Sequence, residues 1–234
     1  MKILAIGDIH GKDIWKSIED IPYLLNVGTA VEFDFDKYIF LGDYTDAFDK
    51  TGDVIRENLI DIINFKKMYP DKVELLLGNH DLQYMFSNKT HGCSGFNSLF
   101  YFDLHEIFNK NRDLFKVAFQ YKNWIFSHAG VNEFWYEHEF PYKSSNIADD
   151  LNNAFLEKVN SLFDVSFYRG GFKQFAGPFW ADMTEMINEP LPAYHQVVGH
   201  TRVTDIFTHE KDKDTSVTFI DCLDNNKKVF IKEL

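Results

Sequence analysis

Along the first eighty residues, short apolar runs alternate with stretches in which apolar side chains recur every three or four positions. Residues 2–6 (KILAI) form the first run and end in GDIHG. From Lys12 to Asn26, Ile14, Trp15, Ile18, Ile21 and Leu25 then fall near helical spacing. Residues 37–41 (KYIFL) run into GDYTDAF, after which Val54, Ile55, Leu59, Ile62, Ile63 and Phe65 keep one helical apolar face. A third run, residues 73–77 (VELLL), leads into GNHD. The pattern predicts strands alternating with helices. Such strands lie parallel, and the polar loops gather beyond their carboxyl ends, where ligands collect in sheets of this kind.

Leu99, Phe102, Leu104 and Phe108 predict a further helix over 98–108. Residues 115–120 (FKVAFQ) and 123–127 (NWIFS), split by Tyr121 and Lys122, read as adjacent strands, the second ending in SHAG. A helix is expected from Ile147 to Phe163. Residues 164–193 mix glycine, proline and aromatic positions and suit a loop over a site. Residues 195–199 (HQVVG) lead into HTRV, and 204–208, 215–220 and 228–232 read as strands of an antiparallel sheet. These elements predict two central sheets packed together, helices outside and all the loops at one edge, in a single domain over residues 1–234.

Each apolar run is followed by residues able to do chemistry: Asp8 and His10, Asp43 and Asp46, Asn79, His80 and Asp81, His128, and His200. One such loop is ordinary turn chemistry. Five in order at strand ends are hard to explain as turns. Acids, imidazoles and an asparagine carbonyl make an oxygen and nitrogen donor set suited to Mn, Fe, Zn or Mg, and one carboxylate can bridge two ions. Two ions about 3.5–4 Å apart hold a water between them, acidify it toward neutrality and neutralise both oxygens of a phosphoryl displacement.

Composition narrows the picture. With 234 residues, 45% of them hydrophobic, and 24 phenylalanines, the chain can build a substantial core. Acidic residues outnumber basic ones by 36 to 24, a net charge of −12 that disfavours non-specific nucleic-acid binding. No run of about 18 apolar residues exists, and the amino terminus is too polar for a signal-peptide core, so a cytoplasmic protein without membrane partners is expected. Cys93 and Cys222 stand far apart and support neither a disulfide framework nor a zinc knuckle.

The blocks GDIHG, GDYTDA, GNHD, SHAG and VVGHT, in this order over residues 7 to about 203, resemble the signature series of calcineurin-like metallophosphoesterases. More narrowly they are similar to the phosphoprotein phosphatase branch, which includes bacteriophage serine/threonine phosphatases and symmetrical diadenosine tetraphosphatases. The resemblance implies an α+β fold, a four-layer α/β/β/α sandwich of two packed mixed sheets flanked by helices. It implies two divalent metal ions, manganese first, with iron, zinc or magnesium also suited. Asp8 and His10 would ligate the first ion, Asp43 would bridge, and Asn79, His128 and His200 would complete the second. His80 would be the general acid, oriented by Asp46.

Asp81, the last residue of GNHD, reads as an acid at a helix amino terminus. Thr201 and Arg202 follow His200, where many other superfamily members carry a second histidine two positions on, so the first ion would have three protein ligands. GPFWADM, with Trp180, resembles the branch's GPLW-type segment. One departure stands out: the second block usually reads GDxxDRG, and its arginine grips phosphate, but Ala47 and Phe48 take those places. Arg169 in YRGG is the first candidate to replace it, Arg202 the second, and Lys50 the third.

The expected activity is hydrolysis of a phosphomonoester by a hydroxide held between the ions, with serine/threonine phosphoprotein as substrate. A hydrolase of dinucleoside polyphosphates or other nucleotides is the alternative, and the missing arginine leans that way. A non-catalytic metal-binding scaffold is the rival of another class, but such relatives lose ligands or the acid histidine, and this chain keeps them all. His91 and Cys93 read as a polar loop. His105, His138, His195 and His209 read as surface or hydrogen-bonded core, and Trp124 and Trp135 as packing. Glycines 7, 42 and 78 are expected to permit the tight turns that bring the ligands together.

Overall fold

The computed structural model describes residues 1–19, 21–22, 33–86 and 92–234. Its strands are Lys2–Ile6 (β1), Lys37–Phe40 (β2), Val73–Leu76 (β3), Phe115–Lys116 (β4), Ala118–Tyr121 (β5), Trp124–Ser127 (β6), His195–Arg202 (β7), Phe207–Asp212 (β8), Thr215–Asp221 (β9) and Phe230–Glu233 (β10). They form two sheets, ordered β10-β1-β2-β3-β4 and β5-β6-β7-β9-β8. In the first, β1 to β4 are parallel and β10 runs antiparallel to β1. The second keeps β6, β7 and β9 parallel, with β5 and β8 antiparallel at its edges. The α-helices are Gly52–Met68 (α1), Asn79–Met85 (α2), Tyr101–Lys110 (α3), Glu133–His138 (α4), Ile147–Leu156 (α5), Met183–Asn188 (α6) and Leu223–Asn226 (α7).

Because side chains alternate along a strand, each sheet buries two apolar sets. Ile3, Ala5, Ile39, Leu41 and Leu76 of the first sheet meet Phe126, Val197 and Ile220 of the second in one layer. The opposite set, with Leu4, Ile6, Phe40 and Leu75, shares a core with Leu59, Ile62 and Phe65 of α1. Val198, Val217 and Phe219 of the second sheet pack with Met186 of α6. Two mixed sheets with helices outside are therefore as expected. No helix among the described residues is long and apolar enough to cross a membrane.

Five expectations change. The run 115–120 is two strands in different sheets: β4 pairs with β3, and after Val117 the chain crosses so that β5 pairs with β6. The crossing needs no turn residue because Asn152 Oδ1 accepts from the N–H groups of Val117 (2.8 Å) and Ala118 (3.2 Å). The segment 228–232 does not extend the sheet of β8 and β9. After α7 and a left-handed Lys227, β10 joins the edge of the first sheet.

Over the described part of the helix expected from Lys12 to Asn26 there is a 3-10 turn, Ile14–Ser17, followed by an extended Ile18; residues 20 and 23–26 lie outside the described residues. The helix from Ile147 ends at Leu156. Lys158 adopts φ 58°, and a 3-10 turn at Asn160–Phe163 replaces the last stretch. Within 164–193, α6 forms because Asp182 and Glu185 make a reciprocal capping box.

Candidate active site

The loops after β1, β2, β3 and β6 meet the outer end of β7 at one edge, so both sheets contribute to one cluster. His10, Asp43, Asp46 and His200 adopt φ of 44°, 50°, 59° and 61°. Left-handed backbone at non-glycine residues costs of order 1–3 kcal/mol each and persists only where surroundings over-determine it. Those surroundings are specific. The N–H of His10 donates to Asp43 O (2.7 Å), and that of His200 donates to Asp8 Oδ1 (2.9 Å). Asp81 accepts from the backbone N–H of Gly78 and of Tyr44, both at 2.9 Å, and from the Thr45 hydroxyl at 3.2 Å. It sits in the first turn of α2 as expected, and it also ties that helix to the loop carrying Asp43.

Two glycines let the loops touch. Gly42 has φ 103°, and a Cβ there would stand 2.3 Å from Gly78 N. Gly78 has negative φ, so its role is close approach: a Cβ would meet Asp43 Oδ1 at 2.1 Å. In that gap the Asp43 carboxylate accepts from His80 N–H at 2.9 Å.

Asp43 is the centre of the cluster. Its Oδ2 lies 3.8 Å from His10 Nε2 and 3.5 Å from His128 Nε2. His10 Nδ1–H donates to Asp46 O (2.7 Å), which leaves the Nε2 lone pair facing Asp43 and, at 3.9 Å, Asp8 Oδ2. His128 Nδ1–H donates to Leu41 O (2.9 Å), so its Nε2 faces Asn79 Oδ1 (2.9 Å) and His200 Nδ1 (3.1 Å). Nδ1 of His200 lies 2.9 Å from the same Asn79 oxygen. Donor atoms within 4.8 Å of one another form two sets, His10 with Asp43 and His80, and Asp43 with His128 and His200.

Such a convergence of lone pairs and carboxylates fits cations. Burial pushes His128 down to about 3 and, with the nearby His80, pushes His10 down to about 4. His200 is likewise lowered by burial and by His128, so all three imidazoles are held neutral, the form that ligates a metal. The acids show the complement: burial raises Asp8 and Asp43 well above the usual carboxylate range, with Asp221 adding to the first and Asp81 to the second. A buried group of acids facing neutral imidazoles is the electrostatic signature of a site for positive ions.

His80 stands beside this cluster, with Nδ1 2.9 Å from Asp46 Oδ2. Asp46 is fixed in turn by Tyr84, whose hydroxyl donates to Oδ1 at 2.5 Å, and by the Gln83 amide. Asp8, His10, Asp43, Asp46, Asn79, His80 and His200 all line one cleft of about 850 Å³, which Arg169, Arg202 and Trp180 share. His128 lies beneath, fully buried. Arg169 is held by Asp182 (Nε to Oδ2, 2.8 Å) and donates to Thr201 Oγ1 at 2.6 Å. Arg202 is exposed at the rim, and Lys50 pairs with Asp49 at 3.4 Å instead of lining the cleft. Phe48 lines the mouth and is 85% exposed.

Gln83, Tyr84 and Asp221 were not singled out in the sequence. Gln83 and Tyr84 stand three and four positions after His80, one helical turn along α2, and Asp221 closes an apolar run in the same way as the candidates that were recognised. Cys93 lies against the Asn79 side chain (3.2 Å), and His91 falls outside the described residues. His105 bonds Tyr84 O and His195 bonds Ser216; His138 packs on Phe134. Trp135 is fully buried, and Trp124 stacks on His195.

The description calcineurin-like phosphoesterase matches this sequence over residues 1–204. Serine/threonine-protein phosphatase 7 of Arabidopsis thaliana is 33% identical over 85 residues, 36% of this chain and 18% of that protein. The serine/threonine-protein phosphatase 4 catalytic subunit of Saccharomyces cerevisiae is 33% identical over 79 residues, 34% of this chain and 22% of that protein. The matched stretch thus spans about a fifth of these curated relatives. Among solved structures, the cold-active protein-tyrosine phosphatase of a psychrophilic Shewanella species superposes with a TM-score of 0.59 at 16% identity, over 99% of this chain and 75% of that one. That likeness is one of fold.

Proposed function

The chain belongs to the calcineurin-like phosphoesterase family, and on that premise we propose that it is a metal-dependent phosphatase acting on phosphoserine or phosphothreonine in proteins. Asp8, His10, Asp43, Asn79, His128 and His200 would hold two divalent cations, manganese first, with Asp43 offering donor oxygens to both positions. The observation that carries this reading is the placement of one Asp43 oxygen between the Nε2 atoms of His10 and His128. When bound, the cations supply an acidified water and neutralise charge on the transferring phosphoryl group.

The chain's own residues do the rest. Arg169 and Arg202 hold phosphate oxygens, Arg169 with its guanidinium already braced by Asp182 and Thr201. His80 gives a proton to the departing alkoxide from Nε2 while Asp46 holds Nδ1. Reconstitution with Mn, Fe, Zn or Mg, followed by assay on a phosphopeptide, diadenosine tetraphosphate, a cyclic nucleotide and a nitrophenyl ester, tests the reading. Fastest turnover of the phosphopeptide supports it; occupied metals with no turnover of any substrate would establish a scaffold instead.

A second reading, a nucleotide hydrolase, is favoured by Phe48. Its exposed ring at the cleft mouth, beside the position where relatives carry arginine, is a surface on which a base can stack for about 1–3 kcal/mol. Preference for diadenosine tetraphosphate in the same panel would select it.

A further inference from the structure

Asp221 ends β9 beside the loop that follows β1. A Cβ on Gly7 would stand 2.6 Å from Ile220 O and 3.1 Å from Asp221 Cα, so the two strand ends are in contact immediately before Asp8. Asp221 lines the same cleft as Asp8, His10 and Asp43 and is only 8% exposed. Among the described residues its carboxylate has neither a hydrogen bond nor an ion pair within 4 Å. The nearby cations act on it only through space: Lys12 pairs with Asp224, and Arg202, the register partner of Asp221 on β7, lines the same cleft, and neither makes an ion pair with Asp221 within 4 Å.

A buried carboxylate without a donor is costly, and this one faces other acids. Burial lifts it to about 6 against the opposing charges of Arg202 and Lys12, and it is the largest acidic influence on Asp8. A structural acid is placed among donors, as Asp81 is; Asp221 has no such donor, stands near Asp8 and Asp224, and feels the charges of Arg202 and Lys12 only from beyond 4 Å.

The two proposed cation positions differ in protein donors: Asp43, Asn79, His128 and His200 serve one, but only Asp8, His10 and Asp43 serve the other. We infer that Asp221 strengthens this poorer position, its charge and buried acceptor oxygens raising the affinity for the cation held by Asp8 and His10. The inference rests on the two-cation reading above.

Titration of the metal-free protein with Mn²⁺ by calorimetry, with thermal melting of the metal-free form, tests it. Asp221→Asn is expected to weaken one of two sites by ~10- to 100-fold, the range found when an outer partner of a metal site is removed. The other site stays as in wild type. Metal-free Asp221→Asn should also melt at a higher temperature than wild type, because an orphaned buried charge has gone. Asp224→Asn makes the same charge change at a more exposed acid and should leave both affinities unaltered. Asp221→Ser repeats the comparison with a smaller side chain in case the amide disturbs folding.

Two unchanged sites in the Asp221 variants overturn the inference, as does an equal loss in Asp224→Asn or a lower melting temperature of the metal-free Asp221 variants. A wild type that takes up no Mn²⁺ pair overturns the underlying reading, and that failure shows before any variant is compared.

Discussion

Nδ1 of His80 sits 2.9 Å from Oδ2 of Asp46, and this contact leaves the other ring nitrogen of His80 for the cleft. Tyr84 and Gln83 hold the carboxylate from behind, so the imidazole is supported by three side chains. His80→Asn should lower kcat on alkyl phosphates by ~10²- to 10⁴-fold, the usual span for a positioned proton donor, and less on a nitrophenyl ester, whose leaving group needs no proton. Bound metal should stay at the wild-type level. Steady-state kinetics with elemental analysis check both; wild-type turnover would remove His80 from the role.

Gly78 is the tightest packing point of the cluster. Its Cα supports no substituent, since a methyl would stand 2.1 Å from Asp43 Oδ1 and 2.5 Å from Asp43 N. Gly78→Ala is expected to destabilise by about 1–3 kcal/mol as an overpacking change and to reduce Mn²⁺ binding by displacing the shared carboxylate. Gly92→Ala, with nothing within 4 Å among the described residues, is the silent control. Denaturant unfolding and metal titration of the two variants make the comparison.

The missing arginine at position 47 can be supplied. Ala47 lines the cleft beside Asp46, and a guanidinium there adds charge-assisted hydrogen bonds to phosphate worth about 1.5–3 kcal/mol, or ~10-fold or more in kcat/KM. Ala47→Arg should therefore gain activity on a phosphopeptide. Arg169→Ala should lose by a similar factor, and Arg169→Lys should not restore it, because a lysine cannot span Asp182 and Thr201 and still offer a fork. Equal kcat/KM in wild type and Arg169→Ala would take Arg169 out of substrate binding.

Away from the cleft, Glu74 on β3 is expected to contribute to acid stability. It is buried beneath three lysines, accepting from Lys37 at 2.6 Å and Lys116 at 2.9 Å, with Lys66 at 3.7 Å. Burial alone would raise its carboxyl, but these partners outweigh it and hold the group below the usual range. A depressed carboxylate stabilises the fold above the unfolded value of about 4.3, and that contribution is lost as pH falls through the lower folded value. Glu74→Gln should cost about 2 kcal/mol near neutral pH, less than a fully buried pair because two of the lysines are partly exposed. The gap from wild type should close below about pH 4. Melting curves across pH 2.5–7.5 would show it; a constant gap would refute the assignment.

Most of this architecture was legible because its signals are local. The short apolar run KILAI ending in GDIHG reads as a strand, and β1 matches it residue for residue. The acids and imidazoles after each run could be placed at strand ends, and the structure brings them within a few ångströms. Sheet membership was not legible, because it is decided by distant partners. FKVAFQ reads as one strand until Asn152 is seen accepting the two N–H groups at its crossing point, and nothing local to residues 228–232 says that their partner is β1. Asp221 escaped notice because FID carries no glycine or histidine to mark it, although its position after an apolar run is the same cue.

The donors that face Asp43 come from opposite sides of the apolar layer, His10 and Asn79 from the first sheet and His128 and His200 from the second. On the two-cation reading, the donors of the first position, Asp8, His10 and Asp43, would all come from the first sheet, and only the second position would draw on both halves of the sandwich. Under that reading a nascent chain would complete the second position only once the halves have docked, and an ion there would act as a rivet whose removal loosens the seam between them.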